Sequence, residues 1–195
     1  MSKRIALLSA AAFTALALTA SVIAPASAED KKMPKSELSG EKTVMVGGAA
    51  MFPSRNIIQN AVNSKDHTTL VAAVKAAGLV ETLEGKGPFT VFAPTNAAFG
   101  KLPAGTVDTL VKPENKATLT KILTYHVVPG KLEASSLTNG KKLKTVEGEE
   151  LTVKLADGKV WIVDAKGGSS SVTIANVNQS NGVIHVVDTV LMPAS

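Results

Sequence analysis

Apolar and polar positions along the chain change period twice, and the changes predict its elements. After a Gly87-Pro88 turn, the short aromatic and β-branched run from Phe89 to Ala93 predicts a buried strand. Alternation sends Phe89, Val91 and Ala93 to one face and Thr90 and Phe92 to the other. Pro94 cannot donate to a ladder, so the strand ends there. Thr95 or Asn96 then supplies a capping oxygen for a helix that begins with Ala97, Ala98 and Phe99.

Helical spacing precedes and follows this hub. Asp66 to Gly78 predicts a helix, capped by Asp66 or Thr68, with an apolar stripe of Leu70, Val71, Val74 and Ala77. Gly78 suits its left-handed stop. His67, at the start, reads as a solvated surface residue. Before it, Thr43 to Val46 predicts a short strand closed by Gly47-Gly48, and Asn56 caps a short helix with Ile57, Ile58, Ala61 and Val62 on one face. After the hub, Leu102 to Gly105 breaks the helix and Thr106 caps another short one. Pro113 suits the first turn of a longer helix. In that helix Leu119, Ile122, Leu123 and His126 share a face, which buries His126, and Tyr125 lies near the boundary of the face. Pro129-Gly130 is expected to end it.

From Lys131 onward the period becomes two. Leu151, Val153 and Leu155 alternate with polar residues, Asp157-Gly158 predicts a hairpin, and Val160 to Val163 is the return strand. Gly167 to Ser171 reads as a loop, Val172 to Val177 as a strand, and Asn181-Gly182 as a second hairpin turn. In the strand that follows, Val183, His185 and Val187 share a face opposite Ile184 and Val186.

The N-terminus has a different character. Lys3 and Arg4 precede an apolar run from Ile5 to Ile23, and Ala26-Ser27-Ala28 fits a small-x-small cleavage site. Residues 1–28 therefore read as a signal peptide cleaved after Ala28, with an uncleaved membrane anchor as the alternative. Residues 29–53 read as a polar linker and lead-in strand, and 54–193 as one domain. The chain is expected to be secreted or periplasmic, with no stable membrane insertion after cleavage.

Composition narrows the chemistry. There is no cysteine among 195 residues, which excludes disulfides, thiolate metal sites and lipid attachment through cysteine. Removing Lys3 and Arg4 with the signal peptide leaves 19 basic and 16 acidic side chains, a net charge of +3. With only 4% aromatic residues, that is too mild a charge for nucleic-acid binding. No Gly-x-Ser-x-Gly elbow, phosphate loop or dinucleotide fingerprint occurs. His67, His126 and His185 lack metal-ligand spacing, so no metal or cofactor is expected. His185 reads as a satisfied core residue. Asn178-Gln179-Ser180 is a glycosylation sequon. Lys141, Lys142 and Lys144 form a small basic cluster, solvated by default, with an acidic polysaccharide or a membrane headgroup as the sharper alternative.

The segment Phe89-Thr90-Val91-Phe92-Ala93-Pro94-Thr95-Asn96-Ala97-Ala98-Phe99 resembles the first signature of the fasciclin (FAS1) family. The segment Asn181-Gly182-Val183-Ile184-His185-Val186-Val187-Asp188, running on to Leu191-Met192-Pro193, resembles the second. Tyr125-His126 resembles the family's Tyr-His pair, and Val46 to Ser54 the lead-in of single-domain bacterial secreted members. Asn176-Val177 departs from the Asp-Ile of many members. The resemblance implies an α+β fold, a β-wedge or sandwich packed against a group of helices. Phe89, Val91, Phe92, Pro94, Thr95, Asn96, Phe99, Asn181, Gly182, His185 and Asp188 would be its structural signature. It also implies a non-catalytic adhesion or matrix-binding module. The Tyr-His region of some animal members has been linked to integrin recognition, which makes Tyr125 and His126 the candidate partner-binding residues here.

The leading expectation is a module that binds a protein or polysaccharide of the cell surface or matrix, with weak self-association as one way for a single domain to bridge. The alternative is a periplasmic carrier or sensor holding a small apolar ligand between helices and sheet. An enzyme ranks below both.

Overall fold

A computed structural model describes residues 42–194. The signal segment, its cleavage point after Ala28 and the polar stretch up to residue 41 lie outside the described residues. A hairpin of β1 (Val44–Val46) and β2 (Ala49–Met51) comes first. Helices α1 (Ile57–Ala61), α2 (Thr68–Ala77) and α3 (Val80–Glu84) follow. The hub is β3 (Phe89–Pro94), leading into α4 (Asn96–Gly100), α5 (Thr106–Leu110) and α6 (Lys116–Tyr125). The remaining strands are β4 (Val127–Pro129), β5 (Lys142–Lys144), β6 (Glu150–Ala156), β7 (Lys159–Val163), β8 (Ser169–Gln179) and β9 (Gly182–Val187).

Strands β3 to β9 form one sheet in the order β4-β3-β9-β8-β7-β6-β5. Every pairing in it is antiparallel except that of β3 with β9, which sets Val91 opposite Ile184 and Ala93 opposite Val186. The sheet curls: just past β5, Val146 N–H donates to the Val127 carbonyl of β4 at 2.8 Å. Two apolar clusters result, one on each face. Val91, Ala93, Ile184 and Val186 face the helices, where Phe99, Leu70, Val74, Leu119, Ile122 and Leu123 meet them. Phe92 and Val187 face into the curl, with Tyr125, Leu151, Val153, Ile162 and Leu191. The segments around Val91 and Val186 are thus neighbours, but the interior is double, because a strand's alternation feeds both faces of a sheet.

Local signals account for many of the elements. Asn56 caps α1 with a capping box: its side chain accepts from Gln59 N–H at 2.8 Å, and the Gln59 side chain accepts from Asn56 N–H at 3.1 Å. Gly78 stops α2 at φ 75°. Asp157 and Gly158 both have positive φ, as a tight hairpin requires. Val46 and Met51 are buried in the helix-side cluster, so the lead-in hairpin is part of the packed body.

Several expectations are corrected. Pro129-Gly130 does not end α6; the helix stops at Tyr125 and Val127–Pro129 pairs with β3. Without β4 that edge of β3 would leave buried backbone groups unpaired. Ser169 to Ser171 is strand where a loop was expected. The Ser170 hydroxyl donates to Asp188 Oδ1 at 3.2 Å and accepts from Thr189 N–H at 2.9 Å, which satisfies it inside the sheet. Val62 and Leu155 are exposed, although the periodicity placed both on apolar faces. On α1 the buried position belongs to Asn60, whose amide exchanges two hydrogen bonds with the Phe52 backbone and donates to Gln179 Oε1. The second hairpin turn is Ser180-Asn181, and Gly182 already belongs to β9.

Candidate functional site

The residues of the two signatures converge on the β3–β9 pair. Phe92 and His185 sit opposite each other in register, their rings stacked at 5.7 Å and 25°. Phe89 faces Gly182. A Cβ on Gly182 would collide with the Phe89 carbonyl oxygen, so glycine is required here by close approach. Pro94 closes β3 opposite Val187. Thr95 caps α4 by accepting from Ala98 N–H at 3.2 Å. Val91 and Phe99 lie in the helix-side core.

Asn96 and Asn181 act at a distance. Asn96 Oδ1 accepts from Thr69 N–H at 3.0 Å and its Nδ2 donates to the Lys65 carbonyl at 2.8 Å. It therefore caps α2, a helix that has no side-chain cap of its own; neither Asp66 nor Thr68 fills that role. Asn181 Oδ1 accepts from Ile57 N–H at 3.1 Å, and Nδ2 donates to the carbonyls of Leu83 at 2.7 Å and Gly85 at 2.9 Å. One buried amide joins the start of α1 to the end of α3.

Tyr125 is buried completely, which corrects its placement at the boundary of the helix face. Its hydroxyl donates to the Glu150 carbonyl at 3.3 Å and accepts from Ala165 N–H at 2.9 Å. Burial pushes its pKa up. His126 is buried as expected. Its Nδ1 donates to the Ile122 carbonyl at 2.8 Å and its Nε2 accepts from Leu191 N–H at 3.0 Å. Those partners fix one neutral tautomer. Burial lowers its pKa to about 4, outweighing the Ile122 carbonyl and the Asp164 charge. His185 donates from Nε2 to the Leu132 carbonyl at 2.7 Å, and its Nδ1 accepts from Asn176 N–H at 3.4 Å. Burial lowers this pKa too. Asn176 sits at φ 58°, and its Oδ1 accepts from Ala134 N–H at 2.7 Å, an acceptor role that needs no charge.

Asp188 lies at the edge of this set. Burial pushes its pKa up, but the Ser171 N–H, the Thr189 and Ser170 hydroxyls and Lys101 together hold it below the ordinary carboxylate value. Lys101 Nζ is 3.7 Å from Oδ2.

His67 overturns its reading as a solvated residue: it is 3% exposed. Its Nδ1 lies 2.9 Å from the Ser64 hydroxyl, and burial lowers its pKa, outweighing the Ala93 backbone and the Asp66 charge. The Ser-x-x-His spacing at a helix start was the available signal. Ser64 is 2% exposed, so the pair is closed to a substrate in this conformation. Ser64, His67 and His126 border a slender cavity of about 40 Å³ between helices and sheet, whose other walls include Met51, Ile58, Leu70 and Ile184.

Among the described residues, no group of three or more His, Cys, Asp or Glu side chains could hold a metal ion. None of their helices is long and apolar enough to cross a membrane. The Asn178 side chain of the sequon has its Oδ1 buried and its Nδ2 bonded to the Asn176 carbonyl at 3.4 Å.

A curled mixed sheet flanked by helices, with its polar groups turned inward onto the backbone, defines an α+β domain of the FAS1 kind. Comparison with known proteins agrees. Residues 65–193 match the family described as Fasciclin domain, and the chain belongs to that family. It is 52% identical over 153 residues to Protein sll1483 of Synechocystis sp., covering 78% of this chain and 82% of that one. It is 38% identical over 153 residues to the cell surface glycolipoprotein MPB83 of Mycobacterium bovis, covering 76% of this chain and 64% of that one. A FAS1 domain pair from the insect cell adhesion molecule fasciclin I superposes with a TM-score of 0.65 at 17% identity, covering 78% of this chain and 58% of that one. At that identity the likeness concerns the fold.

Proposed function

We propose that this chain is an exported fasciclin module that binds a protein or polysaccharide of the cell surface or matrix and carries out no catalysis. The observation that carries the reading is the fate of its reactive side chains. All three histidines and the single tyrosine are buried, and the histidines are held toward the neutral form. What reaches solvent is a surface of lysines, carboxylates and amides with a few exposed apolar side chains such as Met45 and Leu155, suited to recognition. Relatives named for the cell surface and for cell adhesion support the same reading. Residues 1–28 direct export, cleavage follows Ala28, and the binding domain runs from about Ser54 to Pro193 with the lead-in hairpin Val44 to Met51 packed onto it. Tyr125 and His126 serve partner binding from beneath, by fixing α6, the start of β6 and the Leu191 backbone in place.

A second reading, the carrier of a small apolar ligand, rests on the cavity between helices and sheet beside His67. Its volume of about 40 Å³ lies far below the several hundred of ordinary ligand sites, so the carrier needs the helices to part.

The test is a pull-down of the full chain against cell-envelope and matrix fractions, with sizing by light scattering. A retained protein or polysaccharide supports the module. A defined metabolite with no macromolecule supports the carrier. Sequencing of the exported chain should begin at Glu29.

A further inference from the structure

One face of the sheet is turned away from both apolar clusters. In β5 to β8, Leu143, Leu151, Val153 and Ile162 point into the curl, so the alternate positions face solvent. The register places Lys142 opposite Thr152, Thr152 opposite Val163, Lys154 opposite Trp161 and Ala156 opposite Lys159. Directly opposed residues share a face. Trp161, the only tryptophan of the chain, therefore stands among exposed lysines.

Trp161 lines an open concavity of about 470 Å³, with Lys154, Ala156, Asp157, Val163 and Ser169 around it. Its indole N–H is shut off from water and meets no acceptor in the protein, so no hydrogen bond pins the ring. At the β5 end of this face Lys142 and Lys144 stand beside Glu149, Glu150 and Asp164, with the Lys142 ammonium 3.2 Å from Glu150. Around Trp161 itself the exposed lysines Lys154 and Lys159 face the single carboxylate of Asp157, so the excess positive charge lies there. Lysine on the edge strand β5 discourages edge-to-edge pairing. That explanation does not extend to Lys154, which lies on the interior strand β6.

We propose that this face, centred on Trp161, docks a uronate-bearing acidic polysaccharide, an inference that rests on the module reading above. The indole takes the apolar face of a sugar ring, and Lys154 and Lys159 take the ring carboxylates of neighbouring residues. Net positive charge favours an anionic partner and makes binding depend on salt. The concavity favours a narrow chain over a lipid surface, because Trp161 is set among its neighbours and not on a projecting tip.

Titration of the full chain with polygalacturonate, followed by tryptophan emission, reads the site directly, since the signal has one source. The expected result is a saturable emission change that neutral dextran does not produce and that added salt weakens. The Lys154→Glu/Lys159→Glu variant, altered only at exposed positions, should bind about twentyfold more weakly. Trp161→Phe, judged by affinity electrophoresis, should bind polygalacturonate more weakly while keeping its melting temperature. The proposal is overturned by an emission that does not respond, by unchanged affinity in the double lysine variant, or by binding to phosphatidylglycerol vesicles with none to polygalacturonate. If the lysine variant still retains envelope material in the pull-down, the site falls and the module stands. If wild type binds polygalacturonate but retains nothing from envelope or matrix, the site stands and the module falls.

Discussion

His126 accepts the backbone N–H of Leu191 through Nε2 at 3.0 Å, across 65 residues of chain. The bond requires Nε2 to be unprotonated, so the tail of the second signature is held only while the ring is neutral. That couples the domain's stability to pH. The folded pKa of about 4 lies below the ordinary 6.5. Between those values the unfolded chain binds more protons, so stability is full above pH 6.5 and declines as pH falls toward 4. The shift corresponds to roughly 3 kcal/mol from His126. His67 and His185, shifted in the same direction, add to the loss, and Asp188 adds more at and below its ordinary value of 3.8. Urea midpoints from pH 7 to pH 4 should fall steadily; a flat series contradicts the coupling.

Asn181→Ala removes an acceptor from Ile57 N–H and a donor from two carbonyls in one step. The expected cost is about 3 kcal/mol or more, because the groups left behind are largely buried. Asn181→Asp should be worse at neutral pH, since it turns a carboxylate oxygen toward the Leu83 and Gly85 carbonyls, and should recover in part when acid protonates it. Equilibrium unfolding of both variants at two pH values decides the matter.

Phe92 is fully buried and stacked on His185. Phe92→Ala should destabilise the domain by roughly 3–5 kcal/mol. A urea melt indistinguishable from wild type would mean that the hub assignment is wrong.

Gly182→Ala places a methyl group on the Phe89 carbonyl, at the start of the parallel pair. A backbone oxygen cannot swing aside as a side chain does, so β3 and β9 must separate locally. The expected loss is at least about 1–3 kcal/mol. Hydrogen exchange should locate the loosening at Phe89 and its neighbours and leave β6 and β7 protected.

Asn96→Ala should cost about 1 kcal/mol by uncapping α2, an effect visible as faster exchange at Thr69 although the mutation lies on α4. A loss confined to α4 would refute the cross-element cap.

Local chemistry was written plainly in the chain. The alternation of Phe89 to Ala93 and of Val183 to Val187 assigned each residue to its face, and the faces hold. Asn56, Gly78 and Asp157-Gly158 declared a cap, a stop and a turn, because each depends only on backbone geometry within a few residues. The two signatures were legible for the same reason. Contacts between distant segments were not. Asn96 looked like a cap for the helix it begins and caps another; His67 looked solvated and is sealed in; Tyr125 looked marginal and is at the centre of the curl.

By itself, then, the sequence determined the main helical stretches, the alternation of Phe89 to Ala93 and Val183 to Val187, and which stretches carry the fasciclin pattern, since periodicity and turn chemistry act over a handful of positions. It did not mark Val80–Glu84 as helix or Val127–Pro129 as strand. The tertiary structure decided that β3 and β9 lie side by side, that the sheet curls into two interiors, and that Trp161 and its lysines share an outward face. Those outcomes depend on which segments cover which surface. A one-dimensional pattern marks a face as apolar without saying what will bury it.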